Sequence, residues 1–190
     1  MTTITPLALA EVLHITPKRH GDARGWFAET WSTKALSAAG VDTQFVQDNQ
    51  AFNARKGTLR GLHFQKAPHA QGKLVRVLKG AIFDVAVDVR PGSPSYGKWT
   101  GATLTAEVGE QLWVPRGFAH GYVTLTDDTE LFYKVDNRYD AASDGGVLWS
   151  DPDLGIDWGV PPDRVVLSDK DRRAPAFREW TSPFEYGVDA

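Results

Sequence analysis

The sequence predicts a mainly β fold, a small barrel or sandwich of short strands with a few short helices. Three observations carry this. Short runs rich in β-branched and aromatic residues recur at close spacing, with Gly, Pro, Asn and Asp between them. The strongest run, residues 73–89, alternates in its second half: Ala81, Phe83, Val85, Val87 and Val89 against Ile82, Asp84, Ala86 and Asp88. Two glycine-bearing stretches, 57–76 and 109–120, read as turns joining the strands of such a barrel.

Taken in chain order, residues 13–16 form a short extended segment that Pro17 ends. Residues 25–31 read as a second strand. Residues 32–39 are the best helix candidate, with Ser32 as N-cap and Gly40 as the stop. Residues 45–51 are again extended. Within 73–89, two strands meet near Lys79 and Gly80, and residues 90–95 form a loop. Strands follow at 99–105, 111–114, 121–126 and 130–137. From Asp140 the chain is rich in Asp, Pro and Gly and has little periodicity. Leu148, Trp149, Leu154, Ile156, Trp158 and Leu167 need burial, so 140–190 is expected to wrap the barrel as ordered loops and short helices.

A length of 190 residues and 42% hydrophobic content suit one domain spanning 1–190. Lys and Arg number 21 against 24 Asp and Glu, for a net charge of -3, which excludes a general nucleic-acid binder. A phosphate-bearing small ligand needs only a few local Arg and Lys and stays open. The absence of Cys removes thiol nucleophiles, disulfides and zinc–thiolate sites. The first residues lack a basic stretch followed by a long apolar run, and no run reaches membrane-spanning length. A soluble cytoplasmic protein with no membrane partner is the expectation.

Gly109, Pro115, Gly117 and His120 match the second cupin motif, with Pro115 and Gly117 making the turn and His120 facing inward from the next strand. Thr124 stands where that motif ends in Asn. The first cupin motif offers two His one residue apart, then a Glu. Here His63 is present, Gln65 replaces the second His, and Lys73 falls near the Glu position. A Lys ammonium is no ligand and repels a divalent cation. A metal cupin is therefore the weaker reading, and proton chemistry by side chains the stronger. The candidates are His63, Lys73, Asp84, His120 and Tyr133. By parity Asp84 lies opposite Phe83 and Val85. If the valine face packs outward against a second sheet, Asp84 points into the lumen and needs a partner such as His. The alternative is that Asp84 and Asp88 line a solvated face.

Longer stretches are more specific. Residues 57–65 (Gly-Thr-Leu-Arg-Gly-Leu-His-Phe-Gln), 83–90, 115–121, 45–49, 149–153 and 167–171 closely resemble the dTDP-4-dehydrorhamnose 3,5-epimerase family, in order and with near-continuous spacing from about Ile15 to Phe177. The resemblance implies a cupin-type jelly roll acting on a dTDP-linked 4-keto sugar, in dTDP-L-rhamnose synthesis, with no cofactor and no metal. Carbons 3 and 5 flank the ketone, so their hydrogens are acidified, and epimerisation needs a base, an enolate stabiliser and an acid.

The resemblance makes His63 the base. An imidazole has an ordinary pKa near ~6.5, and positioned acid–base groups contribute ~10²–10⁴-fold. It makes Asp171 the carboxylate partner of that imidazole, Lys73 the cation beside the carbonyl oxygen, and Tyr133 the proton donor across the ring. His120 and Asp84 are a supporting pair. Arg24 and Arg60 correspond to a diphosphate clamp, Gln47, Asn49 and Lys170 to nucleotide contacts, and Phe27 and Glu29 to a thymidine pocket. Asp144 stands where the family has Glu, and its shorter side chain puts that contact in doubt. In that family the strand bearing Phe27 and Glu29 is shared with the neighbouring subunit, which implies a homodimer. Three rivals stand beside this reading: a single-position epimerase or ketoisomerase on a related dTDP-sugar, a non-catalytic sugar-binding cupin, and a metal-dependent oxygenase.

Overall fold

The valine face of the 81–89 run sets the architecture. The structure is a computed structural model, and it describes residues 2–188, so Met1, Asp189 and Ala190 of the expected 1–190 domain lie outside the described residues. The strands are β1 (Thr3–Pro6), β2 (Leu13–Thr16), β3 (Arg19–Asp22), β4 (Gly25–Ala28), β5 (Gln47–Asn53), β6 (Leu59–Gln65) and β7 (Lys73–Lys79). They continue as β8 (Ala81–Asp88), β9 (Trp99–Thr105), β10 (Gln111–Val114), β11 (Phe118–Thr124), β12 (Thr129–Val135) and β13 (Asp144–Gly146). Two short α-helices, α1 (Thr33–Ala38) and α2 (Asp169–Arg172), and short 3₁₀ turns complete the chain.

A six-stranded sheet runs β1-β2-β10-β7-β12-β5, a five-stranded sheet β13-β6-β11-β8-β9, and β3 pairs with β4 in a separate hairpin. All named pairings are antiparallel. The two strands of the 73–89 run do not pair with each other. Gly80 turns the chain from the six-stranded sheet into the five-stranded one with φ +81°, and a Cβ there would lie 2.3 Å from Thr126 Oγ1.

Between the sheets Val75, Val77, Leu112, Val114 and Leu131 meet Ile82, Ala86, Leu104, Phe118 and Tyr122. Asp84 shares the parity of Ile82 and Ala86, so it faces the lumen, one of the two placements that alternation left open. Asp84 and Asp88 are both fully buried, which overturns the solvated-face alternative. The cover on the valine face is not a second sheet. Val85, Val87 and Val89 pack with Leu59, Leu62 and Phe64 against Val147, Trp149, Leu154, Trp158 and Phe184 of the C-terminal segment. Leu148, Ile156 and Leu167 lean on the same cluster. On the outer face of the six-stranded sheet, Leu36 of α1 covers Leu13, Ile15, Leu74 and Trp113. Ser32 caps α1 by accepting from the Ala35 N–H, and Gly40 follows with φ +86°.

The expected 25–31 strand ends at Ala28 and pairs with β3, whose exposed Arg-His-Gly-Asp carries no apolar alternation to reveal it. β1 is an exposed edge and was equally silent. The 57–76 stretch read as a turn holds the strand β6 and the start of β7, and β13 lies within the segment expected to be loops. The 45–51, 121–126 and 130–137 strands lie at 47–53, 118–124 and 129–135. No helix among the described residues is long and apolar enough to cross a membrane.

Candidate active site

One end of the barrel interior is apolar, and the other is a polar cavity of about 320 Å³. Its walls include His63 from β6, Lys73 from β7, Tyr133 from β12 and Gln47 and Asn49 from β5, with Asp144 and Lys170 at the rim. The two sheets thus contribute opposite walls. On the six-stranded side Tyr133 sits between Asn49 and Val75, and Val135 between Gln47 and Lys73. Lys73 and Tyr133 are therefore diagonal neighbours on one face.

On the five-stranded side His63 lies directly across from His120 and Arg60 across from Tyr122. Gly61 and Leu62 of β6 thus oppose the single Gly121 of β11, a bulge that puts Arg60 and His63 on the same face despite their odd separation. Gly61 sits in it at φ +138°, where a Cβ would lie 2.6 Å from the Gly121 Cα. The strand can approach β11 this closely only as glycine.

His63 is held from behind. The 3₁₀ turn Pro162–Arg164 leads into residues that run parallel to the start of β6, with Leu59 N–H donating to Val166 O and Val166 N–H to Gly57 O. That lays α2 against β6. Ser168 caps α2 by accepting from the Asp171 N–H and donates its own hydroxyl to Asp171 Oδ2 at 2.8 Å. The other carboxylate oxygen meets His63 Nε2 at 2.5 Å. Asp171 is buried, and burial alone would raise its pKa. The His63 hydrogen bond and charge, Ser168 and Lys170 together outweigh that and leave it below the usual carboxylate value. A carboxylate on Nε2 takes that nitrogen's proton as donor, which leaves Nδ1 with the lone pair.

His120 forms a second pair, Nε2 to Asp84 Oδ1 at 2.6 Å, behind the first. Among the described residues Asp84 Oδ2 has no hydrogen-bond partner. The Lys73 ammonium makes no hydrogen bond or ion pair among the described residues. Burial pulls its pKa down to about 8, against the attraction of Asp84 and Asp144 and with repulsion from Lys170. Burial raises the Tyr133 phenol, and the Arg60 charge partly offsets that. Asp144 pairs with Lys170 and accepts from Tyr139 Oη at 3.4 Å, so the shorter carboxylate still reaches the rim.

Of the residues expected from sequence, Gln47, Asn49, His63, Lys73, Tyr133, Asp144 and Lys170 line this cavity, and Asp171 backs it. Arg24, Phe27, Glu29, Arg60 and His120 do not. Arg24 is exposed and paired with Asp22, Phe27 is 73% exposed on the β3–β4 hairpin, and Glu29 borders a small separate cleft near Ile15. Four further lining residues were not among the site candidates: Phe64, Gln65, Gln71 and Tyr139. Gln65, at the second-His position of the cupin motif, spends its amide on His69 O, Arg138 O and the Asp140 N–H. Its side chain knits loops together.

The family model for dTDP-4-dehydrorhamnose 3,5-epimerase matches residues 6–179. The chain belongs to that family. A relative from Sinorhizobium fredii named dTDP-4-dehydrorhamnose 3,5-epimerase is 51% identical over 180 residues, covering 95% of this chain and 92% of its own. A crystal structure of the Bacillus anthracis epimerase with TDP and PPi bound superposes with a TM-score of 0.88 at 46% identity, covering 93% of this chain and 99% of that one. A 3'-monoepimerase from Streptomyces bikiniensis, in complex with dTDP-quinovose, reaches 0.84 at 35% identity over 92% of this chain and 87% of its own. The family's cupin-like β fold is the one described above, and this chain is an epimerase of that fold.

Proposed function

We propose that this protein epimerises dTDP-4-keto-6-deoxy-D-glucose at carbons 3 and 5, giving dTDP-4-keto-L-rhamnose for dTDP-L-rhamnose biosynthesis. One observation carries the reading: His63 and Tyr133 reach the same cavity from opposite sheets, with Lys73 beside Tyr133. His63, oriented by Asp171, takes the proton from the carbon next to the ketone. The C–H electron pair moves into the carbonyl, and the Lys73 ammonium stabilises the enolate oxygen. Tyr133 returns a proton to the opposite face of that carbon, the phenolate is reprotonated from solvent, and the His63 imidazolium releases its proton to solvent, which restores the base. Repetition at the second carbon completes the reaction. Protons and electrons balance with no redox cofactor and no metal. Gln47, Asn49, Asp144 and Lys170 hold the nucleotide, and Arg60 the diphosphate. His120 and Asp84 support the site.

The protein works as a homodimer in this proposal. The β3–β4 hairpin carries Arg24 together with Trp26 and Phe27, 54% and 73% exposed, and so can present Arg24, Phe27 and Glu29 to a second copy's cavity. The same fold hosts a 3'-monoepimerase, so the second reading is epimerisation at one carbon. Turnover in heavy water decides between them. The proposal expects deuterium at carbons 3 and 5. Label at one carbon overturns it in favour of the second reading, and none overturns both.

A further inference from the structure

Asn53 closes β5 on the lumen side of Gln47 and Asn49, and at 2% exposure it is the most buried polar side chain of that strand. Its Oδ1 accepts from Arg60 Nε at 3.0 Å and from Tyr122 Oη at 3.4 Å. Its Nδ2 donates to Thr129 O at 3.3 Å. These partners fix the amide's direction, because a flipped amide would set an NH₂ group against two donors and an oxygen against a carbonyl. Burial pushes the Tyr122 phenol up to about 12, so it remains a donor across the working range.

The chemistry of this acceptor matters. Arg60 is solvent-exposed, and among the described residues its terminal nitrogens make no hydrogen bond or ion pair. Asn53 grips the guanidinium by Nε alone, which fixes the plane of the fork and leaves both Nη groups free. Because the grip is a neutral oxygen, the cation keeps its whole charge. A carboxylate in the same place would hold Arg60 more tightly and cancel the charge an anionic ligand needs.

We propose that Asn53 is a positioning residue for substrate binding: it aims an undiminished Arg60 cation at the substrate's diphosphate. This rests on the proposed diphosphate role of Arg60. The test is steady-state kinetics with dTDP-4-keto-6-deoxyglucose on Asn53→Ala, Asn53→Asp, Tyr122→Phe, Arg60→Ala and the Asn53→Ala/Arg60→Ala double variant, with thermal melts alongside. Asn53→Ala is expected to raise KM about 5- to 10-fold, the worth of one positioning hydrogen bond, with kcat within about twofold. Asn53→Asp is expected to raise KM further. Tyr122→Phe leaves KM within about twofold, since that phenol does not hold Arg60. In the Arg60→Ala background, Asn53→Ala adds nothing to KM.

Multiplying effects in the double variant, or an equal KM rise in Tyr122→Phe, would mean general packing and overturn the inference. If Arg60→Ala raises KM while Asn53→Ala does not, the inference fails and the diphosphate role stands. If Arg60→Ala leaves KM unchanged, the role fails and the inference with it.

Discussion

His63 and His120 face each other across β6 and β11, and each presents Nε2 to its own aspartate. The two pairs differ in burial. The His63 side chain is 31% exposed to the cavity, whereas that of His120 is 10% exposed and its Asp84 fully buried. One imidazole can meet a ligand, and the other mainly balances a buried carboxylate. Equivalent substitutions should therefore have opposite consequences. His63→Ala is expected to abolish solvent exchange into the sugar, a loss of roughly 10²–10⁴-fold or more, with a smaller loss of stability than His120→Ala, because Asp171 keeps Ser168 as a partner. His120→Ala leaves Asp84 uncompensated and should cost about 3–5 kcal/mol of stability. Parallel exchange assays and denaturant titrations check both. Comparable melting losses in the two variants would contradict this division.

Asp171 acts on the base from behind. Asp171→Asn keeps the shape but offers an amide NH₂ or a neutral oxygen to Nε2, so it weakens the preference for a proton on that nitrogen. A rate loss of roughly 10²–10⁴-fold is expected, with substrate affinity little changed. The stability effect depends on pH. The folded carboxyl titrates below its ordinary 3.8, so the unfolded chain binds more protons just under that value. The stabilisation is fully present above about pH 4 and is lost as pH falls through the folded value. The stability gap between wild type and Asp171→Asn should close on acidification, and denaturant titrations from pH 6 to pH 3 measure it.

Tyr133→Phe separates abstraction from return. His63 is intact in this variant, so the carbon–hydrogen bond still opens. Burial already raises the phenol's pKa and keeps it protonated at neutral pH, and its loss removes the donor on the far face. Exchange should persist while net epimer formation falls by roughly 10²-fold or more. A variant that loses exchange and product in equal measure would place abstraction on Tyr133 instead.

The parts of this arrangement that alternation governs were legible in the sequence. A period of two set Asp84 opposite Phe83 and Val85, and the burial of both faces then decided between the lumen and the solvated face that alternation had left open. The cover on the valine face was legible in part: Trp149 and Trp158 were expected to be buried against the barrel, but a segment without periodicity did not show that they stand where a second sheet was expected. The His63–Asp171 contact, which joins residues 108 positions apart through the parallel run at Val166, was not legible. Only the family resemblance singled out Asp171. Strict parity would also have put Arg60 and His63 on opposite faces. The bulge at Gly61 reverses that, and it depends on the close approach of Gly121. The family resemblance also pointed to Arg24, Phe27 and Glu29, none of which lines this chain's own cavity.

Lys73 gives the sharpest pH test. Its ammonium is pulled from 10.5 to about 8, chiefly by burial. At pH 7 most of the lysine is still cationic and can stabilise an enolate oxygen. As pH rises through about 8 the charge is lost, and kcat should fall with it. Stability moves the other way. Between about pH 8 and 10.5 the unfolded chain binds the proton that the folded chain has released, so this group's contribution makes folding more favourable as pH rises. A rate that falls while this contribution grows cannot come from alkaline unfolding. Lys73→Met should abolish the alkaline limb near pH 8, lower kcat roughly 10²-fold or more at pH 7, and remove that stability increment from the wild-type profile. Rate profiles and denaturant titrations of both proteins from pH 6 to pH 10 supply the comparison. An alkaline limb that persists near pH 8 in Lys73→Met would assign the titration to another group.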